Sequence, residues 1–269
     1  HVAHILSCMA ENELEPPVLG ISWDGTGYGT DGTIWGGEFL LIHEGGWQRV
    51  AHLRPFRLPG GDRAIKEPRR SALGVLYERY GEQAFQTLRG VFTEQELAAL
   101  SQMLRRGINA PITTSAGRLF DAVACLVGLR QVVNYEGQAA MELEFRLHGV
   151  TTDESYPFAV DQTSSDAPVI LDWRPMLPEL LLDVAAGVPV GWISARFHNM
   201  LVEMMVAVLK RAGVECIALS GGCFQNAYLT GRAVQRLREE GFRPYWHQRV
   251  PPNDGGIALG QIVGASGLG

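Results

Sequence analysis

Three glycine-rich segments stand where an extended run gives out, and each carries residue types that could hold a phosphate or a cation. Asp24-Gly25-Thr26-Gly27-Tyr28-Gly29 follows the apolar run Val18–Trp23. Glycines let backbone N–H groups come close to a phosphate, and an adjacent aspartate can ligate a divalent metal. The competing reading is a glycine-rich hairpin turn. Leu219-Ser220-Gly221-Gly222-Cys223-Phe224-Gln225-Asn226 lies between a strand and a helix. Unpaired N–H groups and the helix dipole favour an anion there, and a plain tight turn is the alternative. Pro252-Asn253-Asp254-Gly255-Gly256 repeats that setting, with Asp254 either capping the last helix or ligating a metal. His1 and His4, three residues apart, share one helical face. With Asp24 and Asp254 they make a mixed nitrogen/oxygen set suited to iron, zinc or manganese.

Other candidates carry two readings each. Asp121 sits inside an apolar helix, where a carboxylate is costly unless paired. Its partner is either Arg118, three residues earlier, or a ligand hydroxyl. Cys223 follows a glycine loop that would lower a thiol pKa, yet no histidine stands in clear relation to it, which favours a small buried residue. His198 lies on an amphipathic helix and is core, surface or site. GxSxG, HExxH and GxxxxGK[ST] are all absent, against the usual hydrolase, zincin and Walker-type chemistries.

The elements that must position these residues follow from periodicity. A helix is expected over residues 3–12, and strands over 18–23, 33–42 and 48–53, the last two joined by Glu44-Gly45-Gly46. Residues 69–148 read as mostly helical, with a capping box at Thr93–Glu96 and a buried helix from Ser115 to Leu129. Residues 151–168 read as loop, ahead of a short strand at 169–171. Helix 193–211, strand 216–219, helix 225–240, strand 243–246 and a final helix then alternate, as in an α/β sheet with its site at strand ends.

Bulk properties bound the function. The chain has 269 residues, 46% hydrophobic and 19% charged, which is ordinary globular composition. A net charge of −6 and a pI of about 5.7 speak against nucleic acid or an anionic membrane as partner. Arg69-Arg70 is the best basic patch, and it reads as a solvated helix start. Cys8, Cys125, Cys216 and Cys223 form no Cys-x-x-Cys pair, a pattern suited to reduced thiols in the cytoplasm. No apolar run reaches the ~20 residues needed to span a membrane. The abrupt start inside a helix suggests a piece of something longer.

Taken together, these segments resemble the C-terminal domain of the hydrogenase maturation carbamoyltransferases (HypF), relatives of tRNA threonylcarbamoyl transferases and antibiotic O-carbamoyltransferases. The resemblance covers essentially the whole chain. It rests on His1–Ile5, Asp24–Gly29 with Trp35–Glu38, Leu58–Asp62 with Glu67-Pro68, Ser115–Ala122, Tyr135–Ala140, Phe197–Asn199, Ser220–Asn226 and Asn253–Gly256. It implies an α/β fold of two lobes like actin, Hsp70 and sugar kinases (ASKHA), at about 1–175 and 176–269, with nucleotide in the cleft. It implies that His4, Asp24 and Asp254 are catalytic and hold a divalent metal (iron, zinc, magnesium or manganese). Gly25, Thr26, Gly27, Asp121, Gly137, Ser220, Gly221, Gly222 and Asn226 would bind ATP, AMP or carbamoyl-AMP.

The family's second metal histidine lies four positions before the His4 equivalent, immediately ahead of His1; either His1 substitutes or the site is incomplete. The implied activity is transfer of a carbamoyl group to the C-terminal cysteine of HypE, later dehydrated to a cyanide ligand of the nickel–iron centre. Full-length members also carry acylphosphatase, zinc-finger and adenylate-forming domains upstream. Without those, this chain is expected to perform the transfer step. A carbamoyltransferase for small-molecule hydroxyls, or a non-catalytic nucleotide-binding docking module, are the rival readings.

Overall fold

Val18–Trp23 is apolar at nearly every position, which suits a strand covered by helices on both faces. It forms the centre of the sheet. The structure, a computed structural model, describes residues 1–164 and 166–267; Ser165, within the expected 151–168 loop, and residues 268–269 lie outside it. The strands are β1 (Val18–Tyr28), β2 (Ile34–His43), β3 (Gly46–Leu53), β4 (Phe56–Arg57), β5 (Ile112–Thr113), β6 (Ala159–Asp161), β7 (Val169–Asp172), β8 (Cys216–Ser220) and β9 (Arg243–Trp246). They form one mixed sheet in the order β6-β7-β3-β2-β1-β8-β9, with β5 bridging β2 and β4. β1, β2 and β3 run antiparallel, whereas β8 lies parallel to β1 and β9 parallel to β8.

The helices are α1 (Val2–Glu11), α2 (Arg63–Lys66), α3 (Pro68–Tyr80), α4 (Ala84–Thr87), α5 (Glu94–Arg106), α6 (Ala116–Leu126), α7 (Gln138–Phe145), α8 (Met176–Ala185), α9 (Val190–Ala212), α10 (Ala227–Glu239) and α11 (Ile257–Ala265). On one face of the sheet, Ile5, Leu6 and Met9 of α1 pack with Val18, Leu40, Ile42 and Ala218, and Val263 of α11 closes this layer. On the other face, Leu19, Ile21, Trp23 and Phe39 meet α3, α6, α9 and α10 through Leu73, Phe120, Phe197 and Leu229. Each fully buried Leu or Phe of this kind contributes roughly 1.5–3 kcal/mol.

The capping box at Thr93 is present: its hydroxyl accepts from Glu96 N–H, and the Glu96 carboxylate accepts from Thr93 N–H. Three expectations change. The stretch from Asp24 is not a free loop, because β1 continues to Tyr28 through an irregularity between Trp23 and Gly27. Glycine tolerates extended and bulged backbone alike, so its abundance does not end a strand whose partner continues beside it. No break in the sheet falls near residue 175, since Leu19–Ser22 pair directly with Ile217–Ser220. Finally, Arg69 and Arg70 are not a solvated start: Arg70 is buried, and both donate to Glu67.

Candidate active site

The pairing of β1 with β8 ends at Ser22 and Ser220, and three charged groups converge just beyond it from separate elements. His4 Nε2, from α1, stands 3.1 Å from Asp24 Oδ2 and 3.8 Å from Asp254 Oδ1. The ligand atoms of these three residues all lie within 4.8 Å of one another. Donors at about 2.0–2.2 Å from one metal sit roughly 3–3.5 Å apart when adjacent, so His4 and Asp24 stand at the separation a shared cation requires and Asp254 stands farther out. Asp24 Oδ1 accepts from Gly25 N–H (2.7 Å) and Gly222 N–H (3.3 Å), leaving Oδ2 for a ligand. Burial works to raise the Asp24 carboxyl, but those hydrogen bonds and His4 outweigh it and hold it below the usual carboxylate range.

Asp254 does not cap a helix. Asn253 caps the short 3-10 turn at 254–256 by accepting from Gly255 N–H, Gly256 is the N-cap of α11, and the Asp254 side chain stays 87% exposed, open to a ligand. His1 stands outside the close group among the described residues. Its ring sits 6.0 Å from that of Trp35 and 6.4 Å from that of His4.

The loop carrying Asp254 is braced from behind. Glu11, at the end of α1, accepts from Gln248 N–H, Arg249 N–H and His247 Nδ1–H. A carboxylate only accepts, so His247 Nε2 is left to accept from Ser220 Oγ–H at 2.8 Å. Burial favours neutral His247, reinforced by nearby His4 and opposed by Glu11. This Glu11–His247–Ser220 chain ties α1, the loop after β9 and the end of β8 together. Gly221, next to Ser220, has φ +100 and no room for a Cβ, which would lie 2.2 Å from Trp23 O.

In front lies a cavity of about 410 Å³ lined by Asp24, Gly25, Arg118, Asp121, Glu136, Gly137, Gly222, Asp254 and neighbours. A second, of about 370 Å³, shares Glu136, Gly137, Gly222 and Cys223 with it and extends to Phe120, Met141, Phe145 and Asn226. Together they form a cleft, acidic at one end and apolar at the other. Gly117 of α6 packs directly onto Gly25, where a Cβ would come within 2.8 Å of its Cα. The Ser115 hydroxyl, N-cap of α6, holds the join by lying 2.8 Å from Asp24 O and 2.7 Å from Gly25 O.

Of the residues expected to bind nucleotide, Gly25, Asp121, Gly137 and Gly222 line the first cavity and Asn226 the second. Thr26, Gly27, Ser220 and Gly221 line neither: the first two run on in β1, and the second two lie behind the wall. Asn226 is largely committed. Its Oδ1 accepts from Leu229 N–H as N-cap of α10, and its Nδ2 donates to His198 Nε2 at 2.9 Å. His198 Nδ1–H donates to Ser194 O, and burial pushes this imidazole down to about 4, so it is a neutral positioning group. Burial pushes the Cys223 thiol well up, which disfavours the thiolate needed for attack. Glu11, Arg118, Glu136 and His247 carried no assigned site role in the sequence. Glu136 was findable, since it adjoins Gly137 in a quoted motif; Glu11 and His247 are 236 residues apart and were not.

A family model described as the second subdomain of the Kae1-like domain of carbamoyltransferase matches residues 20–261. The chain is 42% identical to carbamoyltransferase HypF of Synechocystis sp. over 98% of its own length, which is 36% of that protein. It is 38% identical to a carbamoyltransferase HypF homolog of Cupriavidus necator, spanning 97% of this chain and 68% of that one. A crystal structure of full-length HypF in a phosphate- and nucleotide-bound form superposes with a TM-score of 0.91 at 40% identity, covering 98% of this chain and 42% of that chain. The chain thus spans about a third of the Synechocystis relative. Among the described residues no helix is long and apolar enough to cross a membrane, and all four cysteines are unpaired.

Proposed function

The chain belongs to the HypF carbamoyltransferase family, within its Kae1-like domain, and from that membership we propose that it transfers a carbamoyl group from carbamoyl-AMP to the C-terminal cysteine of a HypE-like protein, the step that leads to cyanide ligands in hydrogenase maturation. The observation that carries the reading is the meeting of His4, Asp24 and Asp254 at the acidic end of a nucleotide-sized cleft. We place the adenine at the apolar end near Phe120 and Met141, the ribose at Asp121 and Gly137, and the phosphate and carbamoyl group at the acidic end. The chain would act as one α/β lobe of a two-lobed ASKHA arrangement, working in the cytoplasm beside the further domains of its longer relatives.

His4, Asp24 and Asp254 would hold a divalent metal (iron, zinc, magnesium or manganese), which when bound supplies Lewis-acid polarisation. The chain's own part is to bind and orient. We place the phosphate near the N-terminus of α6, whose dipole would stabilise the charge left on departing AMP. The acceptor sulfur attacks the carbamoyl carbon as a thiolate, a C–S bond forms, and the C–O bond to phosphate breaks with its electron pair leaving on AMP. Cys223 takes no covalent part, because desolvation of its half-buried thiol disfavours ionisation.

A panel of acceptors tests the reading. With carbamoyl-AMP as donor, a peptide ending in cysteine is expected to be carbamoylated and sugar-type hydroxyls are not. Carbamoylation of hydroxyls alone would point to O-carbamoyl transfer, and nucleotide binding with no transfer to any acceptor to a docking module.

A further inference from the structure

Arg118 is a buried guanidinium with hydrogen-bonding capacity unused. Its side chain is 3% exposed, and neither Nε nor Nη1 has a hydrogen-bond partner. Nη1 stands 3.1 Å from Asp121 Oδ2, an ion contact in which neither atom makes a hydrogen bond, so donor and acceptor capacity is left unused. Unsatisfied donors on a buried charge are costly and rare. Arg118 lines the same cavity as Gly117 in the first turn of α6, an eleven-residue helix whose N-terminus favours an anion. Among the described residues lining that cavity Arg118 is the one cation, beside the carboxylates of Asp24, Asp121, Glu136 and Asp254. A phosphate entering this wall meets net repulsion unless Arg118 receives it.

We propose that Arg118 and the N-terminal turn of α6 form the phosphate subsite of the cleft, with the guanidinium fork donating to a phosphate monoester or free phosphate. The assignment rests on the nucleotide-binding reading and makes Arg118 a ligand-contacting residue instead of a structural partner of Asp121.

Calorimetric titrations with adenosine, AMP and inorganic phosphate, at one fixed magnesium concentration, decide it. The chain is expected to bind AMP more tightly than adenosine by roughly ten- to hundredfold, the size of a charge-assisted contact. In Arg118→Gln that ratio falls toward one while adenosine binding is kept. Arg118→Lys, which keeps the charge and loses the fork, gives an intermediate ratio. A wild-type ratio in Arg118→Gln overturns the proposal and leaves the nucleotide reading standing. If Arg118→Gln fails to fold, Arg118→Lys decides, with a wild-type ratio again overturning it. Phosphate binding lost in Arg118→Gln, without adenosine or AMP binding in the parent chain, keeps the anion subsite and removes the nucleotide reading. No binding of AMP or phosphate by the parent chain overturns both.

Discussion

Glu67, at the N-cap of α3, and Asp121, on α6, are both carboxylates buried beside arginines, and the two helices pack against each other. Glu67 accepts from Arg63, Arg69 and Arg70, and these bonds outweigh burial to hold its carboxyl below the usual range. Asp121 has one arginine nearby and no hydrogen bond to its Oδ2. Burial, with Glu136 adding and Arg118 opposing, pushes it up to about 6. The first cluster is closed on itself and serves the fold. The second is left open toward a cavity. A buried charge alone therefore does not mark a site in this molecule, and neither do unfilled bonds alone, since Arg49 Nη2 and Arg54 Nε also lack hydrogen bonds; Arg118 and Asp121 differ in lining the cavity that Asp24 and Asp254 also line.

Removing each cluster's keystone tests that contrast most severely. Glu67→Ala leaves buried Arg70 and its neighbours uncompensated and is expected to cost about 3–5 kcal/mol in urea denaturation. Arg118→Gln is expected to cost under about 1 kcal/mol, because no hydrogen bond is lost and Asp121 can take up a proton. Equal losses would erase the distinction.

The two carboxyls also predict opposite pH dependence. The unfolded Asp121 carboxyl titrates near ~4, and the folded one at about 6. Between these values the folded state binds more protons, so this group removes stability as pH rises through that window. Asp121→Asn is expected to flatten that fall. Glu67, depressed when folded, contributes stability above its unfolded value near ~4.3 that is lost as pH falls through its folded value, and Glu67→Gln removes that acid loss. Thermal melts from pH 3 to 8 check both slopes, and slopes of the same sign would contradict the assignment.

How much of this was legible in the sequence depends on range. The capping box at Thr93 and the N-cap at Ser115 act over three residues and could be read directly. His4, Asp24 and Asp254 were expected together through ordered motifs, and their ligand atoms do lie together. The single sheet was not legible, because pairing of Leu19 with Ile217 leaves no local trace in two apolar runs. Spacing of three on a helix offers Arg118 as a partner of Asp121, and Nη1 does stand 3.1 Å from Oδ2; that neither atom makes a hydrogen bond was not legible, because it depends on side-chain orientation.

A smaller effect is expected behind the site. Glu11→Gln weakens the brace on the loop after β9, and outer partners of this kind typically change metal affinity by about tenfold or more. Titration with zinc or manganese should show that loss with little change in adenosine affinity. An unchanged metal affinity would make the brace purely structural.

The most direct test of the central claim is carbamoyl transfer from carbamoyl-AMP to a cysteine peptide by Asp254→Ala, measured beside adenosine binding. The Asp254 side chain is exposed, so the substitution leaves the core untouched. The account predicts transfer reduced roughly a hundredfold or more with adenosine affinity retained. Transfer at the parental rate would contradict a metal centre built from His4, Asp24 and Asp254.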